Sequence, residues 1–362
     1  MAMKQIVCFA SAAVLAGAIC AGTMITSAQA EEQWWPFAAN DWVGDEATPV
    51  DYVPLSPDEV TKKWHLCVLV PHMKDSVWVS INYGHVREAK RLGVQLTVFE
   101  AGGYPNLTRQ LAQYDDCVAL GVDAIVFAAI SEEGLTRKVQ EGRDKGIVQI
   151  ASSNTVSERM PYHAASFPDN YTQGLVAGQY VAEFFKDHEG PIGLVDVPGP
   201  QGANWAESAA KGVEDGIAGS NVEILKKVWG DTGKSVQLKL VEDVLQAYPE
   251  VRVLVGNAVM NEVAPSALEE AGIAGVEVVG NYANTGSLDL IKSGDVLGAP
   301  LQMMVPISSV AIDQAVRVLE GKPYLKRVRP LAAMLTRFNV NDMDLESLEF
   351  GPADWKPVYS LE

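Results

Sequence analysis

Leu66–Gly84 reads LCVLVPHMKDSVWVSINYG, and this stretch decides the fold. An unbroken apolar run, Leu66–Val70, has the length of a strand buried on both faces. A short loop follows, carrying Asp75 and leading to Trp78, and helical spacing then predicts a helix over Ser76–Arg91. A strand, loop and helix in this order form the unit of a parallel α/β sheet. In such sheets ligands gather at the carboxyl ends of the strands, where loops converge. Trp78 therefore offers a ligand an aromatic face, or else packs under its own loop. Asp75 either meets that ligand or caps the helix.

The same alternation extends outward through the chain. Strands are expected near 94–99, 124–127, 148–150 and 163–166, then near 192–195, 222–228, 251–255, 276–279 and 296–298. Helices are expected over 106–120, 171–185, 204–217, 235–246, 258–271 and 306–319. Ten strands alternating with helices predict parallel sheets covered on both faces. The fold class is α/β, with two doubly wound Rossmann-like lobes joined by a multi-strand hinge and facing one cleft. The expected boundaries are 64–155 with 302–325 for the first lobe and 156–301 with 326–345 for the second. Residues 31–63, rich in Pro, Asp, Glu and Trp, are read as an irregular arm, and 346–362 as a tail.

Residues 1–30 have the pattern of an export signal: Lys4, an apolar run over 6–23, and Ala28-Gln29-Ala30 as cleavage site. The whole chain has 28 Lys and Arg against 46 Asp and Glu, a net charge of −18. Nucleic acid and anionic lipid both require a basic surface, so neither is an expected partner. Past the signal no apolar run is long enough to span a membrane. Cys8 and Cys20 leave with the signal, which leaves Cys67 and Cys117. An even pair in an exported chain favours a disulfide. In a sheet ordered 2-1-3 the crossover helix bearing Cys117 passes over the strand bearing Cys67. Such a bridge would contribute about 4 kcal/mol in the chain-entropy model.

Catalytic signatures are missing. Trp229–Ser235, WGDTGKS, follows a strand like a phosphate-binding loop, but Val228 stands where the first glycine is required. It reads as a turn opening a helix. No nucleophile elbow, zinc-protease helix or dinucleotide fingerprint is present, and the histidines lack metal spacing. No enzyme activity, metal or cofactor is expected. What remains is a set of strand-end residues: Asp75, Trp78, Tyr104, Ser152–Asn154, Trp205, Asn257, Asn281-Tyr282 and Gln302. Several aromatics with one carboxylate and few cations suit a quaternary or methylated nitrogen, held at about 0.5–2 kcal/mol per ring face. An amide such as Gln302 or Asn281, or a tyrosine hydroxyl, would donate to a neighbouring oxygen.

The two-lobed alternation, the export signal and the helix ending Leu319-Glu320-Gly321-Lys322-Pro323 resemble the type I periplasmic binding proteins. Ser153-Asn154 stands where the sugar binders of that family carry Asp-Arg, and Pro198–Lys211 lacks their arginine. The chain is more similar to the TorT-type periplasmic sensors, through Leu66-Cys67, Lys74–Ser76 with Trp78, Asn82–Gly84, Glu100–Tyr104, Cys117, Pro198–Pro200, Gln302-Met303 and Lys356–Tyr359. That resemblance implies a trimethylamine N-oxide site in an aromatic box, regulation of a TorS-like membrane histidine kinase through its periplasmic sensor domain, and a periplasmic location. Trp78, Tyr104 and Tyr282 match walls of the box, with Asp75 beside them. A further tryptophan of the box is Asn170 here, with Tyr171 or Trp205 as its replacement. The competing expectation is the solute-binding subunit of an ABC importer for a sugar or small amine.

Overall fold

The computed structural model describes residues 37–44 and 46–362; the expected export signal and Trp34 and Trp35 lie outside them. Strands β1 (Phe37–Val43) and β2 (Glu46–Tyr52) form an antiparallel pair. The expected alternation then begins with β3 (His65–Val70), α1 (Ser76–Leu92), β4 (Gln95–Glu100), α2 (Leu107–Ala119), β5 (Ala124–Phe127), α3 (Glu132–Asp144), β6 (Val148–Ser152) and β7 (Ala164–Ser166). It continues with α4 (Asn170–Phe184), β8 (Ile192–Val197), α5 (Asn204–Gly216), β9 (Val222–Lys227), α6 (Lys234–Ala247), β10 (Val251–Gly256), α7 (Ala258–Glu270) and β11 (Glu277–Gly280). The remaining elements are α8 (Thr285–Ser293), β12 (Gly298–Pro300), α9 (Met304–Leu319), β13 (Arg327–Pro330), β14 (Met334–Thr336), a π-helical turn at Glu346–Phe350, and β15 (Ser360–Leu361).

Two sheets result. One has the order β15-β4-β3-β5-β6-β7-β13-β1-β2, the other β14-β12-β11-β10-β8-β9. Each contains a parallel core that winds out from its first strand in both directions, the doubly wound arrangement. The run Leu66–Val70 is continuously apolar because its alternate side chains serve two cores. Leu66, Val68 and Val70 pack with residues of α1 and α9, while Cys67 and Leu69 pack with α2 and α3. In the 4-3-5 order α2 crosses over β3, and Cys67 and Cys117 are bonded as a disulfide with Cα atoms 5.9 Å apart.

The strand assignments differ from expectation at the edges. Residues 37–52 of the expected irregular arm form a hairpin that extends the first sheet, β1 pairing with β13. Strands β7 and β13, assigned from sequence to the second lobe, belong to the first sheet, because β7 pairs with β6 and then accepts β13. The tail ends in β15, which pairs with β4. The chain passes between sheets at 167–169, 301–303 and 331–333, and returns to the first sheet between β14 and β15. Helices α3 and α8 were absent from the expected series. Helix α3 buries only Leu135, Val139 and Gly142, a stripe too narrow to announce itself, and α8 spans nine residues.

Helices α4 and α5 approach unusually closely. A Cβ on Gly174 would stand 2.0 Å from the Ala209 carbonyl oxygen, and one on Gly212 would stand 2.1 Å from that of Tyr171. Gly178 and Gly216 extend the same seam. Among the described residues no helix is long and apolar enough to cross a membrane.

Candidate ligand-binding site

The start of α1 sets one wall of a cavity between the two sheets. Asp75 is the α1 N-cap, its Oδ1 accepting from the Val77 N–H at 3.1 Å, and Gly93 closes the helix in the left-handed conformation. The cap therefore leaves Oδ2 and part of Oδ1 for other partners. Tyr282, after β11 in the second sheet, donates its hydroxyl to Oδ2 at 3.0 Å, and Asn284 donates to Oδ1 at 3.2 Å. Both readings of Asp75 thus meet in one carboxylate: it caps its helix and faces the cleft. Burial pushes its pKa up, and these three donors pull it back by stabilising the charged form. Tyr282's hydroxyl is pushed well above its usual range by burial and by the Asp75 charge.

Asp75, Trp78, Tyr104, Asn170, Trp205, Tyr282 and Gln302 all line this cavity, joined by Ser153, Asn154, Thr232 and Met304 among others. The space between these residues is about 370 Å³, part of it open to solvent. Trp205 lies edge-on to Tyr282 at 5.8 Å between ring centroids and tilted against Tyr104 at 6.2 Å. Tyr171, the other replacement considered for the missing tryptophan, turns away: it is 40 % exposed and donates to Asp215. Of the two, Trp205 is the one that lines the cavity.

In the structure the amide and tyrosine donors are engaged by oxygens of the protein. Tyr104 donates to Asn154 Oδ1 at 3.2 Å, and Tyr282 donates to Asp75. Gln302 Nε2 donates to Gln173 Oε1 at 3.3 Å, and Asn281 is buried outside the cavity lining. Asn257 caps α7. Gln302 Oε1 is buried without a hydrogen-bond partner.

Two contributors escaped the sequence reading. Thr232 lies in the loop read as a plain turn before α6, and it brings that loop onto the first lobe through His72. The His72 Nδ1 accepts from the Lys74 N–H at 3.2 Å, so the ring proton sits on Nε2 and donates to Thr232 Oγ1 at 3.1 Å. Burial lowers the His72 pKa to about 4, which keeps the ring neutral. Gln173, on α4, orients both Asn170 and Gln302. Neither carried a sequence signal beyond lying near a strand end or helix start. Among the described residues no group of three or more His, Cys, Asp or Glu is placed to hold a metal ion.

A sheet pair with a ligand-sized cavity at its strand ends is the architecture of a binding protein, and the family comparison agrees. Residues 66–323 match the model of the periplasmic binding protein domain, and the chain belongs to that family. Within it, the chain is 30% identical over 308 residues to periplasmic protein TorT of Escherichia coli (strain K12), covering 84% of this chain and 86% of that one. A solved structure of an ABC transporter solute binding protein from Bradyrhizobium sp. BTAi1, with bound Bis-Tris, shares 39% identity at a TM-score of 0.77, covering 90% of this chain and 98% of that one. TorT in complex with the TorS sensor domain in the presence of TMAO aligns with a TM-score of 0.73 and 29% identity, covering 82% of this chain and 99% of that one.

Proposed function

We propose that this chain is a periplasmic receptor that binds a small alkylated nitrogen compound, trimethylamine N-oxide or a relative, without turning it over, and signals occupancy to the sensor domain of a membrane histidine kinase. The observation that carries this reading is the ring set. Trp78 and Tyr104 from the first lobe, with Trp205 and Tyr282 from the second, surround a space beside one buried carboxylate, with no Lys or Arg in the lining. Ring quadrupoles and Asp75 together favour a compact cation or the positive end of a dipole. Since both lobes contribute walls, ligand stabilises their closure. Any partner that recognises the closed form gains affinity from ligand, and ligand gains it equally from the partner. Similarity to TorT, solved with the TorS sensor domain, supports a kinase as that partner.

Calorimetric titration of the exported chain with trimethylamine N-oxide, betaine, choline and ribose tests the site. Binding of a methylated nitrogen compound is expected, weakened about 2- to 30-fold by Trp78→Ala, the span of one cation–π face. Tight binding of ribose alone would sink the proposal. A second reading, delivery of a small amine to an ABC importer, is favoured by similarity to the Bradyrhizobium solute-binding protein, whose Bis-Tris is itself a tertiary amine. Capture of a purified kinase sensor domain rather than a permease decides between the two.

A further inference from the structure

The polarity of the amides behind the cavity is fixed from one end. The Leu301 carbonyl can only accept, and Gln173 Nε2 donates to it at 3.5 Å. Gln173 therefore turns its Oε1 toward the site. Onto that oxygen Asn170 Nδ2 donates at 3.2 Å and Gln302 Nε2 at 3.3 Å. Asn170 Oδ1 is then free to accept from Thr155 Oγ1, at 2.9 Å. Gln302 is left with one of its two N–H donors engaged and its acceptor open: Oε1 is buried, has no partner, and belongs to a residue of the cavity wall. The Gln302 backbone is held separately, its N–H donating to Glu349 Oε2 at 2.9 Å, so the side chain is not recruited to fix the hinge.

A buried acceptor without a partner costs free energy until something donates to it. Trimethylamine N-oxide has an oxygen and methyl groups but no N–H or O–H. Its oxygen can only accept, and so it leaves Gln302 Oε1 unsatisfied. We propose that the cognate ligand is a small ammonium ion carrying its own hydrogen-bond donor, an N–H or a hydroxyl, which Gln302 Oε1 accepts, with Gln173 as the residue that sets this preference. The statement rests on the alkylated-nitrogen reading above and narrows it. Asp75 supplies the nearby negative charge, the rings supply the apolar walls, and Gln302 selects among ligands of similar size.

Calorimetry on the exported wild-type chain with trimethylammonium, tetramethylammonium and trimethylamine N-oxide at neutral pH is the test. Trimethylammonium is expected to bind about 10- to 100-fold more tightly than either of the others, the factor a hydrogen bond to a charged donor supplies. Gln302→Met removes the acceptor at similar length and is expected to bring the three within about threefold of one another, which separates a donor preference from a size preference. Gln173→Met frees the Gln302 amide to turn its NH₂ to the cavity, and is expected to raise N-oxide affinity relative to trimethylammonium. Wild-type binding of the N-oxide or tetramethylammonium as tightly as trimethylammonium would overturn the inference and leave the alkylated-nitrogen reading standing. An unchanged ratio in a folded Gln302→Met variant, checked by circular dichroism, would also overturn it. Ribose binding with no nitrogen compound bound would overturn both.

Discussion

The two lobes share one winding order but are held together differently. The first sheet gathers strands from distant parts of the chain: the β1–β2 hairpin, β13 and the tail strand β15 all add to its parallel core. A disulfide ties its central strand to a covering helix. The second sheet has six strands, and its outer layer is the α4–α5 pair, whose backbones touch at Gly174, Gly178, Gly212 and Gly216. One lobe is reinforced by added strands and a cross-link, the other by the absence of side chains where two helices meet. Each half of the ligand cavity inherits this difference: Trp78 and Asp75 stand on the cross-linked lobe, Trp205 at the start of α5 on the glycine seam.

The sharpest way to break the comparison is to insert one methyl group into that seam. Gly212→Ala places a Cβ 2.1 Å from the Tyr171 carbonyl oxygen, a backbone atom with no rotamer to retreat into. A loss of about 4 kcal/mol or more is expected, at the upper end for point substitutions, measured as a drop in the urea midpoint. In the first lobe, Cys67→Ala with Cys117→Ala is expected to cost up to about 4 kcal/mol, read the same way, with reductant on the wild type reproducing the shift. An effect of the cysteine pair larger than that of Gly212→Ala would reverse the ranking of the two devices.

The smallest effect concerns the junction between lobes. His72 is neutral in the fold with a pKa near 4, against 6.5 when unfolded, so the unfolded chain takes up the proton first as pH falls. Its contribution to stability is complete above about pH 6.5 and declines as pH drops toward 4, by about 1.4 kcal/mol per unit within that window. At pH 5.5 the loss is about 1 kcal/mol. His72→Asn is expected to remove this share of the acid sensitivity, seen as a smaller Tm difference between pH 7 and pH 5.5. His85, buried and lowered to about 3, adds a slope of the same sign that the variant leaves in place.

Legibility in the sequence followed how locally each feature is determined. The central strands β3, β5, β6, β8 and β10 announced themselves as apolar runs because nearly all of their side chains, on both faces, are buried. The hairpin strands β1 and β2 did not. In β1 only Phe37 and Ala39 are buried, and β2 turns nearly every side chain to solvent, so their strand character comes from pairing with β13, far along the chain. Among site residues, the ones at strand ends were recoverable from the general rule for α/β crevices. Gln173 was not, since it looks like any polar residue on a helix until the Leu301 carbonyl, distant in sequence, arrives beside it. The partner of the Gln302 amide was hidden for the same reason: it is Gln173, distant in sequence.

The hairpin that widens the first sheet also ends it. Strand β2, EATPVDY, is the outermost strand, and its free edge carries a proline, which has no N–H to offer, beside Glu46 and Asp51. An edge of this kind is a poor template for another strand. At the opposite side the tail strand β15 covers β4. The chain thereby avoids presenting either rim of its largest sheet to its own copies.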